Sequence, residues 1–169
     1  MEIRVAEHDD ADEIARVHVA SWRAAYRGQI PDEVLDGLDV TERQRMWREV
    51  LRLEHVDVWV VGRPVVGFLS LAAPSAASPP GSPRAELSAL YLLPDAWRRG
   101  IGRRLVEAAR ARAIERRCGS ITLWVLRENV IARRFYEAVG FTVDGRERVD
   151  TALVAAPLRE LGYAMHLTD

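Results

Sequence analysis

The chain has 169 residues, of which 49% are apolar and 29% charged. We therefore expect a single domain over residues 1–169 with its own core, and the composition excludes a disordered, collagenous or disulfide-built protein. The formal net charge of −1 gives no broad positive field for nucleic acid or an anionic membrane surface, and no apolar run approaches the ~18 residues a membrane span needs.

The first residues alternate weakly, as a short strand over 2–7. His8, Asp9 and Asp10 then offer capping side chains for a helix of about four turns carrying Ile14, Val17, Ala20 and Trp22. Pro31 stands at a helix-start position, and Thr41 to Gln44 fits a capping box leading into a helix with Met46, Trp47 and Val50. Val56–Val61 and Val65–Leu71, separated by Gly62-Arg63-Pro64, read as a hairpin. Residues 72–83, rich in Ala, Ser and Pro, read as a mobile loop. Strand 86–93 follows, then a helix from Gly100 to Arg117 stopped by Gly119, a strand over 121–126, a helix capped by Asn129 and ending before Gly140, and final strands at 141–149 and 164–167. Strands and helices mix without a strict alternation, so the class is α/β of the α+β kind.

Chemistry concentrates in the strand-to-helix turn within ELSALYLLPDAWRRGIGRRLVEAA, residues 86–109. Gly100 and Gly102 open a helix whose first N–H groups and positive dipole end suit a diphosphate, and Arg98, Arg99, Arg103 and Arg104 add fixed charge. All 24 basic residues are arginine, a side chain that grips phosphate through a bidentate fork. Two nucleotide motifs fail: a phosphate-binding Walker loop needs a lysine, and the dinucleotide fingerprint needs a third glycine where Leu105 stands.

Three segments, SWRAAYRG within the helical N-terminus, LYLLPDAWRRGIGRRL and RENVIARRFYEAVGF, together resemble the GNAT superfamily of acetyl-CoA-dependent N-acetyltransferases in order and spacing across nearly the whole chain. The resemblance implies a mixed central sheet with a splayed strand pair and flanking helices, acetyl-CoA as co-substrate, no metal, and a primary amine on a small molecule or peptide as acceptor. Family members are often homodimers. The turn resembles the family's pyrophosphate loop, with Trp97 where a Gln or Arg is usual and Arg98 or Arg99 as substitutes. By the same resemblance Arg98, Arg99, Gly100, Ile101, Gly102 and Arg103 hold the diphosphate, Leu90, Tyr91 and Leu92 hold pantetheine, and Asn129 and Tyr136, seven residues apart and on one helix face, meet the pantetheine arm and the sulfur. A bulge near Leu90 would aim an N–H at the thioester carbonyl, an interaction worth roughly 3 to 4 kcal/mol.

Glu86 stands where relatives often carry a general base; strand alternation puts Glu86, Ser88 and Leu90 on one face unless an earlier bulge intervenes. Tyr136 is the candidate partner of the departing sulfur. Trp22 and Tyr26, with Trp47 as a further candidate, come from helices that in the family cover the acceptor. Relatives acting on protein N-terminal amines place a glutamate where Trp124 stands. Trp97 and Trp124, replacing polar groups, motivate the alternative of an acyl-CoA-binding sensor without turnover. A helical interaction module over residues 9–55 is a third reading. His8, His18, His55 and His166 lack metal-ligand spacing, and Cys118, the single cysteine, reads as inert and as a sign of the reducing cytoplasm.

Overall fold

The computed structural model describes residues 1–74, 83–151 and 157–167; residues 75–82 of the expected loop lie outside them. Seven strands form one sheet in the order β1-β2-β3-β4-β5-β7-β6. They are β1 (Ile3–Val5), β2 (Val56–Val61), β3 (Gly67–Ala72), β4 (Arg84–Leu92), β5 (Ser120–Leu126), β6 (Thr142–Asp150) and β7 (Leu158–His166). Five helices accompany them: α1 (Ala11–Ala25), α2 (Asp32–Asp36), α3 (Val40–Val50), α4 (Ile101–Glu115) and α5 (Val130–Ala138). Every pairing is antiparallel except β4 with β5.

The middle of the sheet is buried on both faces because its strands supply apolar residues to both, while the edge strand β6 is largely exposed. On one face Ile14, Val17 and Trp47 of α1 and α3 pack against Val58, Val60 and Phe68. On the other, Leu105, Val106 and Ala109 of α4 meet Leu69, Leu71, Ile121 and Leu123, and Tyr136 of α5 joins them. A smaller cluster, Ile30 and Leu35 with Trp22, Tyr26, Leu126 and Leu158 against them, joins α1 and α2 to β5 and β7. Arg23 of α1 fixes α2 by donating to the carbonyls of Leu35 (3.0 Å), Asp36 (3.3 Å) and Leu38 (3.1 Å), at and just past the helix C-terminus, where intrahelical donors run out.

Several element ends differ from the sequence reading. Asp39, not Thr41, caps α3, accepting from the Thr41 N–H at 2.8 Å. Glu7 and Asp10 form a reciprocal capping box on a 3₁₀ turn ahead of α1. Helix α4 stops before Gly119: Arg117 takes the left-handed conformation (φ 56°), and the Cys118 N–H returns to the Ala113 carbonyl at 2.9 Å, a Schellman closure made without glycine. Strand β7 begins at Leu158, six residues before the expected start. The hairpin β2–β3 forms as expected, with a cis Arg63-Pro64 bond in its turn.

Two strand irregularities shape the middle of the sheet. β4 and β5 pair only at Arg84–Ser120, Ala85–Ile121 and Glu86–Thr122, after which they splay. Against β3, Leu71 pairs with Leu87 and Ser70 with Ala89, so Ser88 is an extra residue in β4. Its hydroxyl donates to the Ser70 carbonyl (3.3 Å) and bonds the Ser70 hydroxyl (3.1 Å), anchoring the bulge across the strand pair.

Candidate active site

A bulge inserts one residue and thereby reverses which residues face which side. Before Ser88, Ala85 and Leu87 face α4; after it, Leu90 and Leu92 do, while Ala89 and Tyr91 turn to α1 and α3. The expected sharing of one face by Glu86, Ser88 and Leu90 is therefore corrected: Glu86 lies on the side of Ala89 and Tyr91. The bulge sits two residues before Leu90.

Backbone direction follows from the same register. The Leu93 N–H donates to the Val66 carbonyl of the β3 side at 2.8 Å, so by alternation Tyr91 also points its N–H and C=O at β3, and Leu90 and Leu92 point theirs toward the gap. The Leu92 carbonyl is taken twice, by Ser21 Oγ (3.0 Å) and by Trp97 Nε1 (2.8 Å). The backbone groups left facing the gap are those of Leu90 and the Leu92 N–H; Tyr91 contributes its ring rather than its amide.

Beyond the gap, Arg98 (φ 58°) and Gly100 (φ 73°) both take left-handed conformations and roll the chain into α4. None of the N–H groups from Arg98 to Arg103 donates to another group among the described residues; the first helical bond is Arg104 N–H to the Gly100 carbonyl at 3.2 Å. Six successive donors at a helix N-terminus form an anion-binding concavity. The two glycines do different jobs. A Cβ at Gly100 would meet nothing within 4 Å, whereas one at Gly102 would press on Phe135 at 3.0 and 3.1 Å, so Gly102 serves the close packing of α4 on α5. Arg98 and Arg99 are exposed. Arg103 donates to the Ala138 carbonyl at 3.1 Å through one guanidinium nitrogen, tying the start of α4 to the end of α5, and Ile101 is a core residue through its side chain.

A cleft of about 230 Å³ runs through the gap, and Glu86, Leu90, Tyr91, Trp22, Tyr26 and Tyr136 all line it. Tyr136 is only 9% exposed; burial, reinforced by the neighbouring Tyr91, holds its phenol well above the usual tyrosine range. Its hydroxyl has no hydrogen-bond partner among the described residues, while its ring packs edge-on against Phe135 (5.4 Å) and Phe141 (5.7 Å). Burial likewise raises Tyr26 and Tyr91. The Tyr26 hydroxyl and the Trp22 indole N–H lie near the Tyr91 hydroxyl without the geometry of a hydrogen bond. Asn129 accepts the Ala132 N–H at 3.1 Å through Oδ1; it is the N-cap of α5, with its amide N–H₂ donating to no group among the described residues.

Helix α5 is held at two successive turns by one residue: the Tyr163 hydroxyl accepts from Arg133 Nε (3.0 Å) and donates to Glu137 Oε1 (2.9 Å). Behind the cleft, His18 is 7% exposed, stacks on Tyr91 at 5.1 Å and accepts the Trp47 indole N–H at Nδ1, 3.0 Å. Burial, with a smaller push from Arg43, lowers its pKa to about 3. Trp47 is therefore a core partner of His18 and does not line the cleft. Cys118 is buried, and burial pushes its thiol up, as expected of an inert cysteine. No group of His, Cys, Asp and Glu among the described residues is arranged to hold a metal.

The far wall was not read from the sequence. Arg148 and Asp150 of β6 and Leu158 and Glu160 of β7 line the same cleft; Arg148 pairs with Glu160. Trp124 of β5 joins them, with the guanidiniums of Arg146 and Arg148 over its ring at 4.7 and 4.5 Å. The period-two run Leu161, Tyr163, Met165 was the available signal for the missing half of β7.

A sheet opened between two parallel strands, with unspent amides at a glycine turn on one side and an aromatic, acid-lined cleft on the other, defines an acyl-CoA-dependent acyltransferase. Comparison with known proteins specifies the family: residues 14–141 match the acetyltransferase (GNAT) family, and the chain belongs to it. It is 30% identical to the peptidyl-lysine N-acetyltransferase YjaB of Escherichia coli over 165 residues, covering 95% of each chain. It is 33% identical to an uncharacterized N-acetyltransferase of Archaeoglobus fulgidus over 136 residues, 80% of this chain and 89% of the relative. The crystal structure of the PaiA N-acetyltransferase of Thermoplasma acidophilum in complex with coenzyme A shares the fold, with a TM-score of 0.77 at 20% identity over 98% of this chain and 99% of that one. The chain is thus an acetyl-CoA-dependent N-acetyltransferase. No helix among the described residues is long and apolar enough to cross a membrane.

Proposed function

We propose that this protein, acting as one domain in the cytoplasm, transfers the acetyl group of acetyl-CoA to a primary amine by direct attack in a ternary complex. The observation that carries the reading is the β4–β5 splay: it joins the amide concavity at Arg98–Arg103 on one face to the acceptor cleft on the other. The diphosphate takes the concavity, with Arg98 and Arg99 as charge partners, and the pantetheine arm runs beside Asn129 to the backbone of Leu90 and Leu92.

The nucleophile must be a neutral amine. An amine of pKa ~10.4 is neutral in only about one part in 2,500 at pH 7, a deficit of about 4.6 kcal/mol. Glu86 is the base assigned to remove it, directly or through one water. The amine nitrogen bonds to the acetyl carbon, the Leu90 N–H steadies the oxygen as it gains charge, and the carbon–sulfur bond breaks. Tyr136 donates a hydrogen bond to the departing thiolate. Because burial holds its phenol well above the ordinary range, complete transfer of its proton is uphill; the proton that the attacking nitrogen sheds as the amide forms ends on the sulfur instead. Trp22 and Tyr26 cover the amine.

The test is release of coenzyme A thiol against a panel of amines, with the acetylated products identified by mass. An N-acetylated product is expected. Saturable acetyl-CoA binding with no product from any amine would reject transfer and leave an acyl-CoA-binding sensor.

A further inference from the structure

We propose that Trp124 fixes the length of the acyl chain this enzyme transfers: its ring closes the inner end of the β4–β5 wedge, leaving room for an acetyl methyl and none for further methylenes, and Arg146 and Arg148 hold the ring in that place. This deepens the reading above and rests on it.

The direction of the acyl group follows from its own geometry. A thioester carbonyl carbon is planar, with its three bonds spread evenly. When the oxygen takes the Leu90 N–H on β4 and the sulfur lies by Tyr136 of α5, the methyl points to the remaining side, toward β5 and the closed end of the wedge. That end is the Glu86–Thr122 pair. Leu90 is four residues past Glu86, one of them the bulge at Ser88, and Val125 is three past Thr122. The two therefore face each other across the gap, and Trp124 stands one step further in.

Only one side of that end is open to a longer chain. Leu87, Leu123 and Val125 fill the face toward α4, all of them buried in the core. Strand alternation turns Trp124, with Thr122 and Leu126, to the opposite face, where Trp124 lines the cleft. A chain that grows by one methylene must press on the core or on this ring, and forcing extra carbon into packed surroundings is costly.

The ring is also held against displacement. The guanidiniums of Arg146 and Arg148 lie over it at 4.7 and 4.5 Å, attracted by the negative charge of an aromatic face. Each is tied in turn: Arg146 donates to Asp144 Oδ2 through Nε (2.8 Å) and Nη2 (2.6 Å), and Arg148 pairs with Glu160. A tryptophan free of such contacts would rotate to admit bulk; pinned by two anchored cations, this one is a fixed stop.

The experiment measures kcat/KM for acetyl-, propionyl- and butyryl-CoA against the amine panel, beside calorimetric affinities for coenzyme A and each acyl-CoA. Wild type is expected to prefer acetyl over propionyl by at least about tenfold and over butyryl by at least about a hundredfold, and to bind butyryl-CoA more weakly than acetyl-CoA. Trp124→Ala and Trp124→Leu are each expected to raise the butyryl-to-acetyl ratio at least about tenfold, with the affinity for coenzyme A unchanged. Arg146→Gln combined with Arg148→Gln, which keeps the ring but releases it, is expected to raise the propionyl-to-acetyl ratio about threefold. Wild-type turnover of butyryl-CoA equal to that of acetyl-CoA overturns this inference and leaves amine acetylation standing, as does a ratio unmoved in any of these variants that binds coenzyme A like wild type. If no donor gives product with any amine, acyl transfer itself is rejected, and binding decides the rest: butyryl-CoA held by wild type as tightly as acetyl-CoA overturns the stop as well.

Discussion

At Tyr136, burial decides what the residue can contribute. A phenol raised by desolvation stays protonated across the working range, so it serves as a hydrogen-bond donor and not as a titrating acid. Tyr136→Phe keeps the ring against Phe135 and Phe141 and removes only the hydroxyl; kcat is expected to fall about a hundredfold with acetyl-CoA affinity unchanged, as measured by steady-state kinetics beside calorimetric binding. An alkaline limb of the wild-type pH–rate profile below about pH 10 that disappears in this variant would contradict the assignment. Gly102 poses a question of space. A methyl there must displace Phe135, which adjoins Tyr136, so Gly102→Ala is expected to lower stability by about 1 to 3 kcal/mol in denaturant titration.

The turn between β4 and α4 is the element on which donor binding rests. Gly100→Asp meets no neighbouring atom, and holding the new residue at positive φ costs roughly 1 to 2 kcal/mol, so the fold is expected to survive. Its carboxylate would compete for the free amides and repel a diphosphate, and acetyl-CoA affinity is expected to fall at least about tenfold; unchanged affinity would sink the turn assignment. This turn was legible in the sequence because glycines, a preceding apolar strand and a following amphipathic helix are all local signals, as is the two-turn spacing of Asn129 and Tyr136. The bulge at Ser88 was not legible, since the extra residue exists only relative to β3 and its anchor, Ser70, is 18 positions away. Glu160 escaped for a similar reason: Arg159 ends the apolar parity of Leu161, Tyr163 and Met165 just before Glu160 is reached, and what continues the strand there is pairing with β5 and β6.

For the whole molecule, the aromatic core beneath the acceptor cleft couples folding to pH. His18 titrates near 6.5 when unfolded and at about 3 when folded, so between these values the unfolded chain binds the extra proton. Stability therefore rises with pH through this window and is lost as pH falls from about 6.5 toward 3. Between pH 7 and pH 5 the expected loss from this one group is about 2 kcal/mol. Urea titrations at the two pH values measure it, and His18→Gln, which retains an acceptor for the Trp47 indole, should flatten the difference; an equal loss in the variant would assign the acid sensitivity elsewhere.

Gly162 is a doorway. It sits opposite Trp124 in the register, and a Cβ there would fall 2.5 Å from Asp144 Oδ1 and 2.9 Å from Arg146 Cβ, so only the bare backbone lets β6 pass an arginine over β7 to a tryptophan on β5. Three strands are riveted together by the lack of one carbon. Closing the opening with a single methyl would evict Arg146 from the ring, loosen the wall that carries Glu160, and couple a lower melting temperature to a changed choice of amine, so that at this position durability and selectivity cannot be altered separately.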